Sequence, residues 1–218
     1  MTRQERVDKF VEYFSIHLPK AETELIYSNA YELAVAVILS AQCTDKRVNQ
    51  TTPEFFRIFP DIFMLSKSNS ENVFQIIRSV TYPNSKAKHL VQMAKMVVEM
   101  YNGEMPRNVN ELMTLPGIGR KSANVLASVL YNIPTMPVDT HVFRVAARIG
   151  LTEKAKNVME TERQLVRYLP EDKLNIAHHW LVLHGRYICI ARKPKCLECG
   201  LRDICKYYNS KIKNAGTD

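Results

Sequence analysis

Four of the five cysteines of this chain, Cys189, Cys196, Cys199 and Cys205, fall within 17 residues in the pattern C-x6-C-x2-C-x5-C. Few features constrain a fold more, because four thiols drawn into one short loop must be cross-linked or wrapped around a common centre. Cross-linking is the poorer reading. A chain of 218 residues can build a core without disulfide staples. Its start, MTRQERVDKFVEYF, mixes both charge signs and shows no apolar stretch, so no secretion signal is expected. The thiols are therefore expected to stay reduced and to hold metal. Structural zinc commonly takes two tight pairs of ligands separated by a longer finger. Here one tight pair, Cys196 and Cys199, is flanked by a single cysteine on each side. That spacing suits an iron–sulfur cluster, with zinc as the alternative. Cys43 stands far from the others, follows an apolar run and is expected to be a small core residue.

The rest of the chain reads as helices. Only 7 glycines interrupt it, and apolar residues recur every three or four positions between turn signals. Val7, Phe10, Val11 and Phe14 keep that spacing near the N-terminus. Leu90, Ala94, Val97, Val98 and Tyr101 keep it in the run from Lys86 to Tyr101, which Asn102-Gly103 ends. Leu33 to Ala41, LAVAVILSA, is apolar on every side and predicts a helix buried among others. After Pro170, a suitable first helical residue, EDKLNIAHHWLVLHGRYICI predicts one long helix that leads into the cysteines. The fold class expected is all-α. No repeat of fixed period and no low-complexity linker is present, so any division into domains comes from packing, with a crossover near Pro134 to Pro137. The longest uninterrupted apolar run, Leu33 to Leu39, is far shorter than the roughly 20 residues that cross a bilayer, and no membrane partner is expected.

Charge adds a partner class. Lysine and arginine number 30 against 22 aspartates and glutamates, a net charge of +8, which favours an acidic partner and nucleic acid first among them. A basic surface that serves solubility is the plainer alternative. Between Cys189 and Cys196, three cations, Arg192, Lys193 and Lys195, share one loop. They would either meet phosphates or offset the negative charge of thiolates, and both readings stand.

Residues Asn108 to Thr114 and Arg120 to Tyr131 read as two helices joined by Leu115-Pro116-Gly117-Ile118-Gly119, a helix-hairpin-helix. Gly117 and Gly119 let the backbone approach a ligand, and the unpaired N–H groups at the second helix start suit a DNA phosphate, with Arg120 beside them. A nucleotide-binding P-loop is excluded by residue identity, since Arg120 separates Gly119 from Lys121 and Thr114 replaces the first glycine. Lys121 lies in the first turn of that helix, where the partial positive charge of the backbone disfavours an ammonium. Next to Arg120 and partly desolvated, its amine is expected to deprotonate more readily than usual, and a neutral amine is a nucleophile. A surface lysine or a phosphate contact is the plain alternative. Asp139 opens another helical run, either as its N-cap or as a carboxylate facing a cleft opposite Lys121, able to take a proton or steady developing positive charge. His141 is expected to make structural hydrogen bonds.

With these pieces in order, LSAQCTDKRVN at Leu39 to Asn49, NSKA at Asn84 to Ala87, LPGIGRKSANV, VDTHVFRVAARIGL, HHWLVLHGRYICIARKPKC and the cysteine loop, the chain resembles the endonuclease III family of base-excision DNA glycosylases. The resemblance covers nearly the whole length. It implies two helical domains flanking a DNA-binding cleft, a six-helix domain over 24–134 and a second one joining 1–23 to 135–218 around a 4Fe-4S cluster. It implies that Lys121 is the nucleophile and Asp139 its acidic partner. The lysine would attack the deoxyribose C1′ of a flipped, damaged nucleotide, release the base through a Schiff base, and cut the strand 3′ to the site by β-elimination. By resemblance the partner is double-stranded DNA with oxidised pyrimidines or abasic sites, and the protein a cytoplasmic monomer. Gln42 aligns with the residue that fills the space of the flipped nucleotide, or else caps its helix. Tyr82 stands where the family places a second, aliphatic wedge, and would stack in the duplex or pack on its own helix. Three other functions fit the sequence less well. An adenine mismatch glycosylase lacks a lysine at the position of Lys121, a DNA-binding redox sensor would not require Lys121 and Asp139 together, and a ferredoxin-like electron carrier fits a charge of +8 poorly.

Overall fold

A computed structural model describes residues 1–212, with side chains through 210; the end of the second expected domain, 213–218, lies outside the described residues. The chain divides into two compact units, one made of residues 24–132 and the other of residues 1–23 with residues 133 onward. No helix among the described residues is long and apolar enough to cross a membrane.

The chain opens with α1 (Arg3–His17), whose N-terminus is closed by a capping box between Thr2 and Glu5. The 24–132 unit follows, with α2 (Ala30–Ser40), α3 (Asp45–Ile58), α4 (Ile62–Ser66), α5 (Ser70–Ile77), α6 (Pro83–Tyr101), α7 (Val109–Thr114) and α8 (Arg120–Tyr131). That is seven helical segments against an expected six, counting the five-residue α4. Every residue of α2 from Leu33 to Leu39 is buried, and α3, α6 and α8 all pack on it. A segment apolar all round therefore does lie at a centre, as its sequence requires. α6 starts earlier than the periodic residues alone indicate, because Pro83 at its first turn supplies a preset φ and needs no N–H.

The other unit continues with α9 (Thr140–Ile149), α10 (Val158–Tyr168) and α11 (Leu174–Tyr187). Its core gathers Val7, Phe10 and Phe14 of α1 with Val142, Val145 and Ile149 of α9 and Trp180 and Leu181 of α11. Phe14 stacks on Trp180 at 5.6 Å between ring centroids, Phe10 meets the same indole edge-on at 6.0 Å, and Trp180 Nε1 donates to Leu18 O at 2.8 Å. The single long helix expected after Pro170 is instead a short 3-10 turn, Glu171–Lys173, followed by α11. It also stops earlier. The amides of Ile188 and Cys189 both donate to His184 O, at 3.0 and 2.7 Å, which halts the helix and turns Cys189 inward.

Candidate active site

The hairpin is built from ordinary packing rules. Asn108 caps α7 through its side chain, Leu115 and Ile118 bury themselves at 2% and 4% exposure, and Ile118 N donates to Leu115 O at 3.1 Å to close the turn. Gly117 has φ +85, and a Cβ there would lie 2.9 Å from His89 Cβ, so glycine is needed both for conformation and for space. Gly119 is different. Its φ is −87, and an added Cβ would meet nothing within 4 Å. Nothing among the described residues demands glycine at this position. As the N-cap of α8 it offers no side chain, so the amides of the first turn receive no cap from it. The same turn carries Arg120 and Lys121 and no acid, against the usual preference at a helix start. Both side chains are exposed. Partial burial of the Lys121 amine was expected and is not found, because the turn projects from the apolar face of α8 that Ala123, Leu126 and Ala127 bury.

Asp139 is the N-cap of α9 and half-buried. Its Oδ1 accepts from His141 N and Val142 N, both at 2.8 Å. The cap thus uses one carboxylate oxygen of two, so the structural and chemical readings of this residue are compatible. His141 makes the structural bonds expected of it, its Nδ1 lying 3.2 Å from the Arg144 guanidinium.

All four clustered cysteines line one cavity, together with Ile149, His184, Leu201 and Tyr207. Burial pushes the Cys199 thiol up to about 11, and burial likewise raises Cys196 and Cys205. Thiols held this way are costly to ionise unless a positive centre binds them, so the donor set fits a metal group. Among the described residues no group of three or more His, Cys, Asp or Glu is placed to hold a single metal ion. Four thiols lining one cavity fit a shared iron–sulfur cluster. The rim is tied down from α9. Arg148 donates to Ile190 O at 2.9 Å and Ala191 O at 2.7 Å and lies 3.6 Å from Cys189 Sγ. His184, whose pKa burial lowers to about 4, is neutral near pH 7 and brings Nε2 within 3.6 Å of Cys199 Sγ. Arg192, Lys193 and Lys195 are exposed on the loop so fixed.

Gln42 and Tyr82 are both exposed, and the backbone brings them together. The link is a residue to which the sequence assigned no role. Lys86 is 5% exposed, and its ammonium donates to Leu39 O and Ala41 O, both at 2.7 Å, and to Thr81 Oγ1 at 3.3 Å. One signal could have found it, since Lys86 falls in register with Leu90, Ala94 and Val97 on the buried face of α6. Arg148 and His184 carried no comparable signal. Cys43 is half-buried rather than a core residue, because the chain leaves the buried α2 at Ala41 and Gln42 and reaches the surface there.

Comparison with known proteins places this arrangement in a class. The family pattern described as the HhH-GPD superfamily of base excision DNA repair proteins matches residues 35–171, and the one described as the iron–sulfur binding domain of endonuclease III matches residues 189–205. The chain is 45% identical to endonuclease III of Rickettsia felis over 94% of its length and 96% of that protein's. It is similar to two solved structures. One is a trapped endonuclease III–DNA covalent intermediate in an estranged-adenine complex, with TM-score 0.88, 38% identity, and coverage of 96% and 98% of the two chains. The other is a non-covalent endonuclease III–DNA complex, with TM-score 0.92, 36% identity, and coverage of 98% and 100%. The chain belongs to the endonuclease III family, and its enzyme class is DNA glycosylase with AP lyase activity. Its cofactor is a 4Fe-4S cluster.

Proposed function

We propose that the chain binds double-stranded DNA and removes oxidised pyrimidines through Lys121, cutting the strand 3′ to the abasic site. The observation that carries this reading is the start of α8, where Gly119 gives no side-chain cap and the first turn carries Arg120 and an exposed Lys121 in place of acids. The amides and Arg120 grip phosphates on either side of Gly117 and Gly119. The Lys121 amine attacks C1′ of the flipped nucleotide, and the base leaves with the glycosidic electron pair and a proton. The aminal so formed opens by breaking its C1′–O4′ bond as O4′ takes a proton. The resulting protonated imine makes the C2′ proton acidic, so that its removal breaks the C3′–O bond and expels the 3′ phosphate. Asp139, with the carboxylate oxygen that its cap leaves over, takes up protons and steadies the cationic sugar. Gln42 and Tyr82 fill the gap in the duplex.

The division of labour follows the two units, with the hairpin unit of residues 24–132 supplying the nucleophile and the unit of residues 1–23 with residues 133 onward supplying Asp139 and the cluster. Cys189, Cys196, Cys199 and Cys205 would hold the cluster. When bound, it supplies metal–thiolate bonds that fix the loop from which Arg192, Lys193 and Lys195 reach phosphates. The protein acts as a cytoplasmic monomer on DNA carrying damaged pyrimidines or abasic sites.

Borohydride trapping on a duplex containing thymine glycol tests the reading. The unaltered chain should give a covalent complex and Lys121→Gln none, since reduction fixes an imine only where an amine has formed one. Trapping by the variant, or by neither protein on thymine glycol and on an abasic site, would remove Lys121 from the mechanism.

A further inference from the structure

Two exposed side chains of the hairpin unit, Gln42 and Tyr82, stand on backbones with φ +54 and +53. The left-handed region is uncommon for such residues, and a bulky ring there is an outlier that persists only where the surroundings hold it. The surroundings here form a closed hydrogen-bond account. The Lys86 ammonium has three protons and no acceptor capacity. They go to Leu39 O and Ala41 O at the end of α2 and to Thr81 Oγ1. Thr81 Oγ1 in turn donates to Gln42 O at 2.8 Å. One buried cation thus ties the residue before Gln42, the carbonyl of Gln42 itself and the residue before Tyr82. It also faces the C-terminal carbonyls of α2, where a positive charge is favoured. Burial lowers the Lys86 pKa, an effect that the nearby Cys43 partly opposes. A lysine at the surface would avoid that penalty, so its retention on the buried face of α6 needs a reason beyond packing.

We propose that Lys86 is a positioning residue that, through Thr81, fixes the backbones of Gln42 and Tyr82 so that both side chains enter the duplex as one rigid wedge. The proposal rests on the reading that these two residues fill the gap left by a flipped nucleotide. Neither Lys86 nor Thr81 touches DNA in this scheme. They set the direction of the residues that do, and preorganising two contacts on one clamp lowers the cost of ordering them on binding.

The test uses the full-length, cluster-loaded protein and a duplex with a tetrahydrofuran abasic analogue opposite 2-aminopurine. The analogue has no C1′ leaving group and forms no imine, so the complex is stable while the probe reports unstacking. Fluorescence is read at saturating protein, with saturation set by anisotropy, so that amplitude reports wedge insertion and not affinity. Gln42→Ala with Tyr82→Ala should abolish the rise, and an unchanged amplitude in that double variant would sink the wedge reading itself. Lys86→Met and Thr81→Val should each cut the amplitude at least about twofold, as expected when a hydrogen bond from a charged or bridging donor is lost. Thr81 is exposed, so its valine variant keeps the fold even if Lys86→Met does not. Full amplitude in Thr81→Val, with the double variant silent, would overturn the positioning role.

Discussion

The starts of α8 and α9 make opposite use of the same backbone groups. At α9, Asp139 fills the helix start with a carboxylate that accepts from His141 N and Val142 N. At α8, Gly119 gives no side-chain cap, and the first turn carries cations where acids are usual. Both helices bury apolar faces, so neither start is left as it is for want of packing. The difference teaches that a missing cap is informative where the space around it is open. Gly119 has room for a Cβ and an ordinary φ, and a capping residue would have stabilised the fold there. Its absence agrees with the proposed binding of an outside anion at this helix start.

Substitutions can sharpen or break this contrast. The largest effect belongs to the filled start. Asp139→Asn keeps a capping oxygen, so the melting temperature should change little while glycosylase turnover falls by about 10²- to 10⁴-fold. Asp139→Ala should lose the same activity and also about 1 kcal/mol of stability. Unchanged turnover in Asp139→Asn would mean that the residue's main role is the cap. Next comes the turn before α8. Gly117→Ala forces φ +85 on a residue with a Cβ and presses it on His89, which should cost about 1–2 kcal/mol in denaturant unfolding. A neutral result would show that the turn can move. The smallest effect is the most diagnostic. Gly119→Asp should raise stability by a few tenths of a kcal/mol, as a better cap does, yet weaken duplex affinity several-fold by occupying and repelling. Stability and affinity rising together would contradict the anion role of α8.

Local patterns made most of this molecule legible in its sequence. The hairpin, the buried α2, the cysteine loop, the lysine in the first turn of α8 and the aspartate that opens α9 are written in short-range spacing or residue type. What stayed hidden depends on distant partners. Lys86 lies next to matching residues in the sequence, but its value comes from carbonyls 45 to 47 positions away. Arg148 likewise holds loop carbonyls 42 and 43 positions on. The break between the 3-10 turn at Glu171 and α11 and the early end of α11 escaped for a similar reason. They depend on which carbonyls two amides select, and periodicity is silent about that.

The interleaving of the two units has a consequence for the order in which the molecule is made. Residues 24–132 leave the ribosome as one uninterrupted stretch and can close their core at once. α1 cannot. Its ring partner Trp180 bonds to a carbonyl 162 positions earlier, and Arg6 donates to Ile204 O, 198 positions away. At roughly 5–20 residues per second, α1 waits on the order of 10 to 40 s for that partner. Val7, Phe10 and Phe14 lack the α11 part of their core for that interval. α1, made before residues 24–132, is thus locked in place after them, by the same stretch that brings the cysteines.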